Sequence, residues 1–286
     1  MEPNTSALLN SPVYFDSHMH TPLCKHARGE PEEYAEWAIK RGFKGIIFTC
    51  HCPMPDDFWP RVRMDMGEID TYVAMVYRAR EAFAGQLEIR LGMESEFFPG
   101  AEGWIEKLHS SYEFHHCLGS VHYFSPEYTD RFWKGDLLAF QKQYFEHIAD
   151  SAETGLYDTL SHPDIVKNED PDAWDFDVLE ETVAGVLDRV AKTGVAMELN
   201  TSGRRKRYPE TNPGPRMLAM MAERGIPVVL GSDSHTPERV GWDFDVALDQ
   251  LEEAGYKTVS YFTLRQRQDV EISAVRAALI EVPLPR

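Results

Sequence analysis

The chain reads as an α/β protein, a closed barrel of seven parallel strands wrapped by helices. Three observations carry this. Short apolar β-type runs alternate with segments of helical period, as in parallel strands joined by right-handed helical crossovers. The runs are continuous rather than alternating, as in strands covered on both faces. Side chains able to bind metal stand at or just after the C-terminal ends of nearly all the runs. In an open doubly wound sheet such groups gather at one switch point, whereas closure brings every strand end around one axis.

The first run, Val13–Phe15, leads into Asp16-Ser17-His18-Met19-His20. Residues two apart in a strand share a face, so His18 and His20 can hold one ion together. Asp16 shares that face and can orient an imidazole from behind. A loop, Thr21–Gly29, carries His26. Helix Pro31–Arg41 begins with proline and acids and stops before Gly42, as helix polarity favours. The second run, Gly45–Thr49, ends at Cys50-His51-Cys52, where strand alternation turns both thiols away from the His51 face. Helix Gly67–Ala84 precedes Glu88–Met93, which ends in Glu94. The two oxygens of Glu94 can bridge two cations, and Glu96 shares its face. Helix Ala101–Tyr112 leads to Cys117–Val121 and His122, and helix Gly135–Glu153 to Thr159–Ser161 and His162. Helix Asp177–Thr193 leads to Val195–Leu199. This sixth run ends in Glu198-Leu199-Asn200 and is read as supplying no ligand. Helix Pro215–Glu223 precedes Pro227–Leu230 and Gly231-Ser232-Asp233-Ser234-His235, a second pair of period two. Helix Arg239–Ala254 completes the seventh unit. A strand-like run, Thr258–Leu264, and a short helix, Ser273–Ile280, belong to a C-terminal extension, 257–286, packed on a single barrel domain.

Imidazole and carboxylate are the usual ligands of Zn, Mn and Fe. One H-x-H pair arises easily by chance, and a lone histidine is more often solvated or satisfied in a core. The joint pattern is harder to produce. Of eleven histidines, His18, His20, His26, His51, His122, His162 and His235 stand at strand ends, interleaved with Glu94 and Asp233. His109, His115, His116 and His147 fall on helices or before a strand and read as structural or solvated. A cation cluster at such a cavity activates water and stabilises an anionic transition state. After the sixth run, Arg204-Arg205-Lys206-Arg207 sets four cations in a row. A basic run after a barrel strand is placed to hold phosphate, with Arg205 and Lys206 the preferred pair and Arg204 beside them.

Over 286 residues, 29 Lys+Arg stand against 47 Asp+Glu, a net charge of −18. That argues against a nucleic-acid partner, which calls for a basic surface. It leaves room for a small phosphorylated substrate, because bound metals reverse the local sign. Met1 to Pro12 shows no signal-peptide pattern, and no run reaches transmembrane length. Cys24, Cys50, Cys52 and Cys117 read as reduced thiols, so a cytoplasmic protein with no membrane partner is expected. There is no P-loop, dinucleotide fingerprint or nucleophile elbow.

In order and spacing, His18-x-His20, His26, Thr49-Cys50-His51, Glu94, His122, His162 and Asp233-x-His235 resemble the motifs of the polymerase and histidinol phosphatase (PHP) superfamily. The resemblance runs from about Phe15 to His235. Gly119-Ser120-Val121-His122, Ser161-His162-Pro163-Asp164 and Asn200-Thr201-Ser202-Gly203 look like its stand-alone histidinol-phosphate phosphatases. It implies a distorted seven-stranded β/α barrel with two to three divalent transition metals. His18, His20, Glu94 and Asp233 would hold one ion, Glu94, His122 and His162 a second, and His26, His51 and His235 a third. Catalysis would rest on Glu94, Asp233 and His235. The implied reaction is hydrolysis of L-histidinol phosphate to L-histidinol and phosphate, a late step of histidine biosynthesis. Arg204 stands where an apolar residue is expected before the Arg-Lys pair. The substrate's ammonium needs an acidic or carbonyl partner, and Glu96, Asp164 and Glu169 are candidates. The alternatives are another superfamily phosphoesterase, acting on a nucleotide or other phosphorylated metabolite, and a non-catalytic metal-stabilised accessory barrel. Missing ligands would mark the last, and none is missing.

Overall fold

The computed structural model describes residues 14–283. Met1–Pro12, read above as lacking a signal peptide, and Val13 of the first run lie outside the described residues. Seven strands follow one another around the barrel: β1 (Phe15–Asp16), β2 (Gly45–Phe48), β3 (Glu88–Glu96), β4 (His116–Ser120), β5 (Thr159–Leu160), β6 (Ala196–Asn200) and β7 (Val228–Gly231). Each pairs in parallel with the next. The residues after β1 and β7 complete the ring. Ser17 N donates to Leu230 O at 3.2 Å, Ser234 N to His18 O at 3.2 Å, and His20 N to Ser234 O at 2.9 Å. Apolar runs make such strands because both faces are covered, by barrel interior on one side and helices on the other.

The helices are α1 (Pro31–Lys40), α2 (Ile69–Ala82), α3 (Glu102–Ser111), α4 (Pro126–Phe132), α5 (Leu137–Glu153), α6 (Phe176–Thr193), α7 (Pro215–Glu223) and α8 (Phe244–Ala254). Their ends follow local chemistry. Glu30 and Glu33 form a capping box at α1, and Asp136 accepts from Ala139 N at α5. Three expectations shift. Helix α4 lies inside what reads as a loop; Ser125 caps it by accepting from Tyr128 N, and Pro126 starts it. The last crossover helix begins at Phe244 rather than Arg239. Gly241 (φ 64°) and Asp243 (φ 61°) take left-handed backbone that no helix can include. Strand β3 runs on to Glu96, because Glu94 and Glu96 pair with Leu118 and Ser120 of β4.

The C-terminal extension is more than one strand and a helix. β8 (Thr258–Thr263) pairs with β7, and β9 (Gln266–Glu271) folds back on it before α9 (Ile272–Ala278). The hairpin lies across the amino-terminal ends of the barrel strands. Arg90 Nη1 donates to Phe262 O at 2.7 Å, the Phe262 ring stacks on His116 at 4.8 Å, and Arg265 pairs with Asp158 at 3.1 Å. Its turn, Leu264-Arg265, has φ of 47° and 61° without a glycine. Arg265 N donating to His115 O at 2.9 Å helps hold that strained turn in place.

Buried histidines away from the barrel mouth stay neutral. His147 on α5 sits beneath Phe132, with Tyr128 Oη and its own Nδ1 2.7 Å apart, and burial lowers its pKa to about 4. The unfolded chain accepts that proton near pH 6.5, so the native state is stabilised fully above 6.5 and loses the contribution as pH falls towards 4. His147→Gln should therefore flatten the acid limb of the stability curve by up to ~1.4 kcal/mol per pH unit in this window. Urea unfolding at pH 7 and pH 5 measures it, and parallel acid limbs in the two proteins would contradict it.

Candidate metal centre and phosphate loop

The strand ends converge on one cavity of ≈ 730 Å³, whose lining includes His26, His51, Glu94, His122, His162, Asp233 and His235. His18 and His20 lie fully buried directly behind this surface. Glu94 is the centre. Its Oε2 lies 2.8 Å from His51 Nδ1, 3.4 Å from His18 Nε2 and 3.6 Å from His20 Nε2. Its Oε1 lies 3.1 Å from His162 Nε2 and 3.5 Å from His122 Nε2. Asp233 Oδ1 approaches His20 Nε2 at 3.2 Å and His18 Nε2 at 3.7 Å. His26, His51 and His235 offer a further group of ring nitrogens within 4.8 Å of one another. All nine side chains singled out in the sequence are thus brought together, in overlapping sets joined through His20, His51 and Glu94.

Whether a cation fits can be judged from the polar atoms themselves. His18 and His20 turn Nε2 towards each other at 3.2 Å. Glu94 Oε2, His162 Nδ1 and His235 Nε2 are buried without a hydrogen-bond partner among the described residues. Buried polar groups are rarely left so. Three ring nitrogens crowd Glu94 Oε2 without hydrogen-bond geometry, as lone pairs aimed at a common cation do. The residues therefore fit divalent metals. The local charge agrees. Burial opposes ionisation of Glu94, yet His51, His18, His122 and His162 hold its carboxyl well below the usual range. Burial likewise opposes the charged form of Asp233, and Lys206, His18 and His20 outweigh it. Burial also works against protonated His20 and His122, but Asp233, the Cys50 sulfur and Glu94 push His20 up to about 9, and Glu96 and Glu94 do the same for His122. The cavity calls for positive charge at its floor.

A rank of buried acids stands behind the imidazoles. Glu198 on β6 accepts from His18 Nδ1 at 2.7 Å and, through its other oxygen, from His162 N at 2.8 Å and Asn200 Nδ2 at 3.0 Å. The sixth strand, read as supplying no ligand, has a different part that the sequence did not reveal: it orients two of the predicted ligands. Only a residue without a side chain could stand opposite, since a Cβ on Gly231 would fall 1.9 Å from Glu198 Oε1. Glu96 plays the same part for His122, accepting from its Nδ1 at 2.8 Å and from Arg63 Nη2 at 2.9 Å. Such partners fix the ring and raise its basicity. Asp16 does not orient an imidazole, as its position suggested. It accepts from Ser232 N and Oγ, Gly241 N and His18 N. His162 (φ 27°) and Asp233 (φ 50°) hold left-handed backbone, strain of the kind that clusters at functional sites. All four cysteines are free and buried. Cys50 Sγ and Cys52 Sγ accept from Thr21 N and Glu96 N, and neither lines the cavity. Cys24 was not singled out, yet it lies in a possible ligand group with His20 and His235.

The basic run starts inside a tight 3-10 turn, Thr201–Arg205, after β6, with Lys206 capping its end. Three residues per turn splay neighbouring side chains. Arg205 and Lys206 consequently reach the cavity, whereas Arg204 turns to Asp243, with Nε 3.4 Å from Oδ2. The expectation that Arg204 binds phosphate is corrected accordingly. Lys206 Nζ donates to Ser202 Oγ at 2.8 Å and lies 3.4 Å from Asp233 Oδ2, and Arg205 stacks on Trp242 at 4.2 Å. Arg207 and Arg239 also line the cavity. Arg239 read as helical, and nothing in its local sequence marked it.

Comparison with known proteins agrees with this geometry. A family model for the PHP domain matches residues 16–202. The chain is 38% identical to the "probable histidinol-phosphatase" of Deinococcus radiodurans over 255 residues, 86% of this chain and 95% of that protein. It is 28% identical to the histidinol-phosphatase of Bacillus subtilis, over 82% of this chain and 98% of the other. The fold matches, with a TM-score of 0.76 and 20% identity, the histidinol phosphate phosphatase of Lactococcus lactis, solved with zinc, L-histidinol and phosphate. That match spans 89% of this chain and 98% of the other.

Glu198→Gln leaves an amide where three N–H groups now meet carboxylate oxygens, so either His18 Nδ1, or His162 N together with Asn200 Nδ2, faces an NH₂. The expected result is metal affinity lower by about 10- to 100-fold, read by metal analysis after dialysis against a graded chelator. Unchanged retention would show that Glu198 has no hold on the cluster.

Proposed function

The chain belongs to the PHP-domain family, and from that premise we propose that it hydrolyses L-histidinol phosphate to L-histidinol and phosphate, using two to three divalent transition ions (Zn, Mn or Fe). The observation that carries the reading is the meeting, in one cavity, of the imidazole–carboxylate sets around Glu94 with the cations of the 3-10 turn. His18, His20, Glu94 and Asp233 would hold one ion, Glu94, His122 and His162 another, and His26, His51 and His235 a third. Divalent ions held there supply Lewis acidity and a water ionised near neutral pH.

The protein's own residues bind and orient. Glu94 ties the sets together, so that substrate oxygens meet a fixed array rather than independent sites. Asp233 links the array to the phosphate loop, since Ser202 Oγ and Lys206 Nζ both reach its Oδ2. Lys206 and Arg205 offer charge-assisted hydrogen bonds to phosphoryl oxygens, and stacking on Trp242 fixes the plane of the Arg205 guanidinium. His235 borders the same cavity, its Nδ1 bonded to Asp233 O and its Nε2 free among the described residues. Catalysis is assigned to Glu94, Asp233 and His235 on these grounds. No helix among the described residues is long and apolar enough to cross a membrane. A small metabolite as substrate and four reduced thiols suit a cytoplasmic enzyme.

Protein purified without chelators and assayed with Mn or Zn should release phosphate from L-histidinol phosphate with kcat/KM about 100-fold or more above that for p-nitrophenyl phosphate. Chelation should abolish the activity and added metal restore it. Equal turnover of the two esters would remove the assigned substrate and leave a general phosphoesterase. Lys206→Ala should lower kcat/KM for both esters by about 10²-fold, with metal content retained; a loss confined to one ester would place Lys206 away from the phosphate.

A further inference from the structure

Three carboxylates line the cavity: Glu94, Asp233 and Glu169. The first two are surrounded by imidazoles. Glu169 is exposed, and its hydrogen bonds run through its backbone, N to Val166 O at 3.0 Å and O from Arg207 Nη1 at 3.0 Å. Its side chain has no hydrogen bond or ion pair among the described residues, while the chain leading into it is fixed. Asn168 Oδ1 accepts from Tyr208 N at 2.8 Å, and the buried Lys167 Nζ donates to Thr211 O at 2.7 Å. A free carboxylate on a braced backbone is a preorganised partner for a cation. The other acids considered for this task are engaged elsewhere and do not line the cavity. Asp164 accepts from Lys167 Nζ, Asn212 Nδ2 and Gly214 N, and Glu96 holds His122 and Arg63.

An aromatic wall lines the same cavity. Trp59 and Phe124 meet edge to face at 5.1 Å, and Trp59 packs 5.9 Å from His122. Trp59 holds a left-handed backbone (φ 41°), and its N–H donates to Glu127 Oε1 at 2.9 Å. A bulky residue in that conformation is strained, and such strain persists only where the surroundings impose it. A flat apolar face and an unpaired acid lining one cavity suit a cationic, ring-bearing group.

We propose that Glu169 is the specificity-determining residue for the amine end of the substrate, accepting hydrogen bonds from a primary ammonium while Trp59 and Phe124 flank the ring. The proposal rests on the histidinol phosphate reading. It separates two ends of one ligand: the phosphoryl group belongs to the metal sets and Lys206, the ammonium to Glu169.

The test is steady-state kinetics of wild type, Glu169→Gln and Glu169→Asp with L-histidinol phosphate, its deamino analogue and p-nitrophenyl phosphate. For Glu169→Gln, KM for histidinol phosphate should rise about 10- to 100-fold with little change in kcat, the worth of one hydrogen bond to a charged group. The deamino analogue should be a poor substrate of wild type and lose no more with Gln, and Asp should recover part of the affinity. Metal content equal to wild type reports an intact barrel. A histidinol phosphate KM unmoved by Gln, or an equal loss on the deamino analogue, would overturn the subsite while leaving the substrate reading standing. A wild type with no preference for histidinol phosphate over the aryl ester would overturn that reading, and the subsite with it.

Discussion

Closure of the barrel between β1 and β7 is the constraint on which the rest depends, and Asp16 is the side chain that fastens it. A carboxylate with no exposed surface is expensive to bury unless its lone pairs are filled. Asp16 fills them with donors from the far end of the ring: Ser232 N at 3.0 Å, Ser232 Oγ at 2.5 Å and Gly241 N at 2.8 Å. Those bonds pull the turn after β7 against the turn after β1. His18 and His20 stand on one side of that seam, and Asp233 and His235 on the other. Without the seam the pairs of period two would lie on opposite edges of an open sheet. With it, Asp233 comes within 3.2 Å of His20.

The centre then behaves as one object. Glu94 contacts rings from five separate positions in the chain, and the acids behind those rings are themselves shared, Glu198 between His18 and the backbone of His162. Energies of such groups do not add, because removing one side chain leaves several others miscoordinated. The same sharing lets a chain of net charge −18 handle an anion. Its acids at the centre are engaged mainly with imidazoles, and cations line the same cavity: Arg205, Lys206 and Arg207 after β6 and Arg239 after β7.

Much of this was legible in the sequence because it depends on local rules. Strand alternation puts residues two apart on one face, so His18-x-His20 and Asp233-x-His235 declare themselves, and apolar runs ending in ligands imply a ring of strand ends. What stayed hidden depends on facing partners. Glu198 looks like an ordinary acid at a strand end; only the gap left by Gly231 and the position of His18 across the barrel give it a task. Arg204 and Arg205 are neighbours in a basic run, and the pitch of a 3-10 turn decides which one sees the cavity. Arg239 looked helical because Gly241 and Asp243 give no sign in one sequence that both will adopt left-handed backbone. Helix α4 does carry a signal, Ser125-Pro126, but its seven residues are too few to show a helical period. The returning strand β9 has a single buried residue, Val270, and no apolar period to announce it.

The seam between β1 and β7 has a consequence for biogenesis. Its two halves are more than two hundred residues apart, so β1 leaves the ribosome long before its partner exists. At ~5–20 residues per second, on the order of ten to forty seconds separate the two. Through that interval a nascent chain carries an unpaired strand edge beside two bare imidazoles. The complete array can therefore assemble only after the residues beyond β7 have emerged, and the first pair of period two to be made is among the last to find its place.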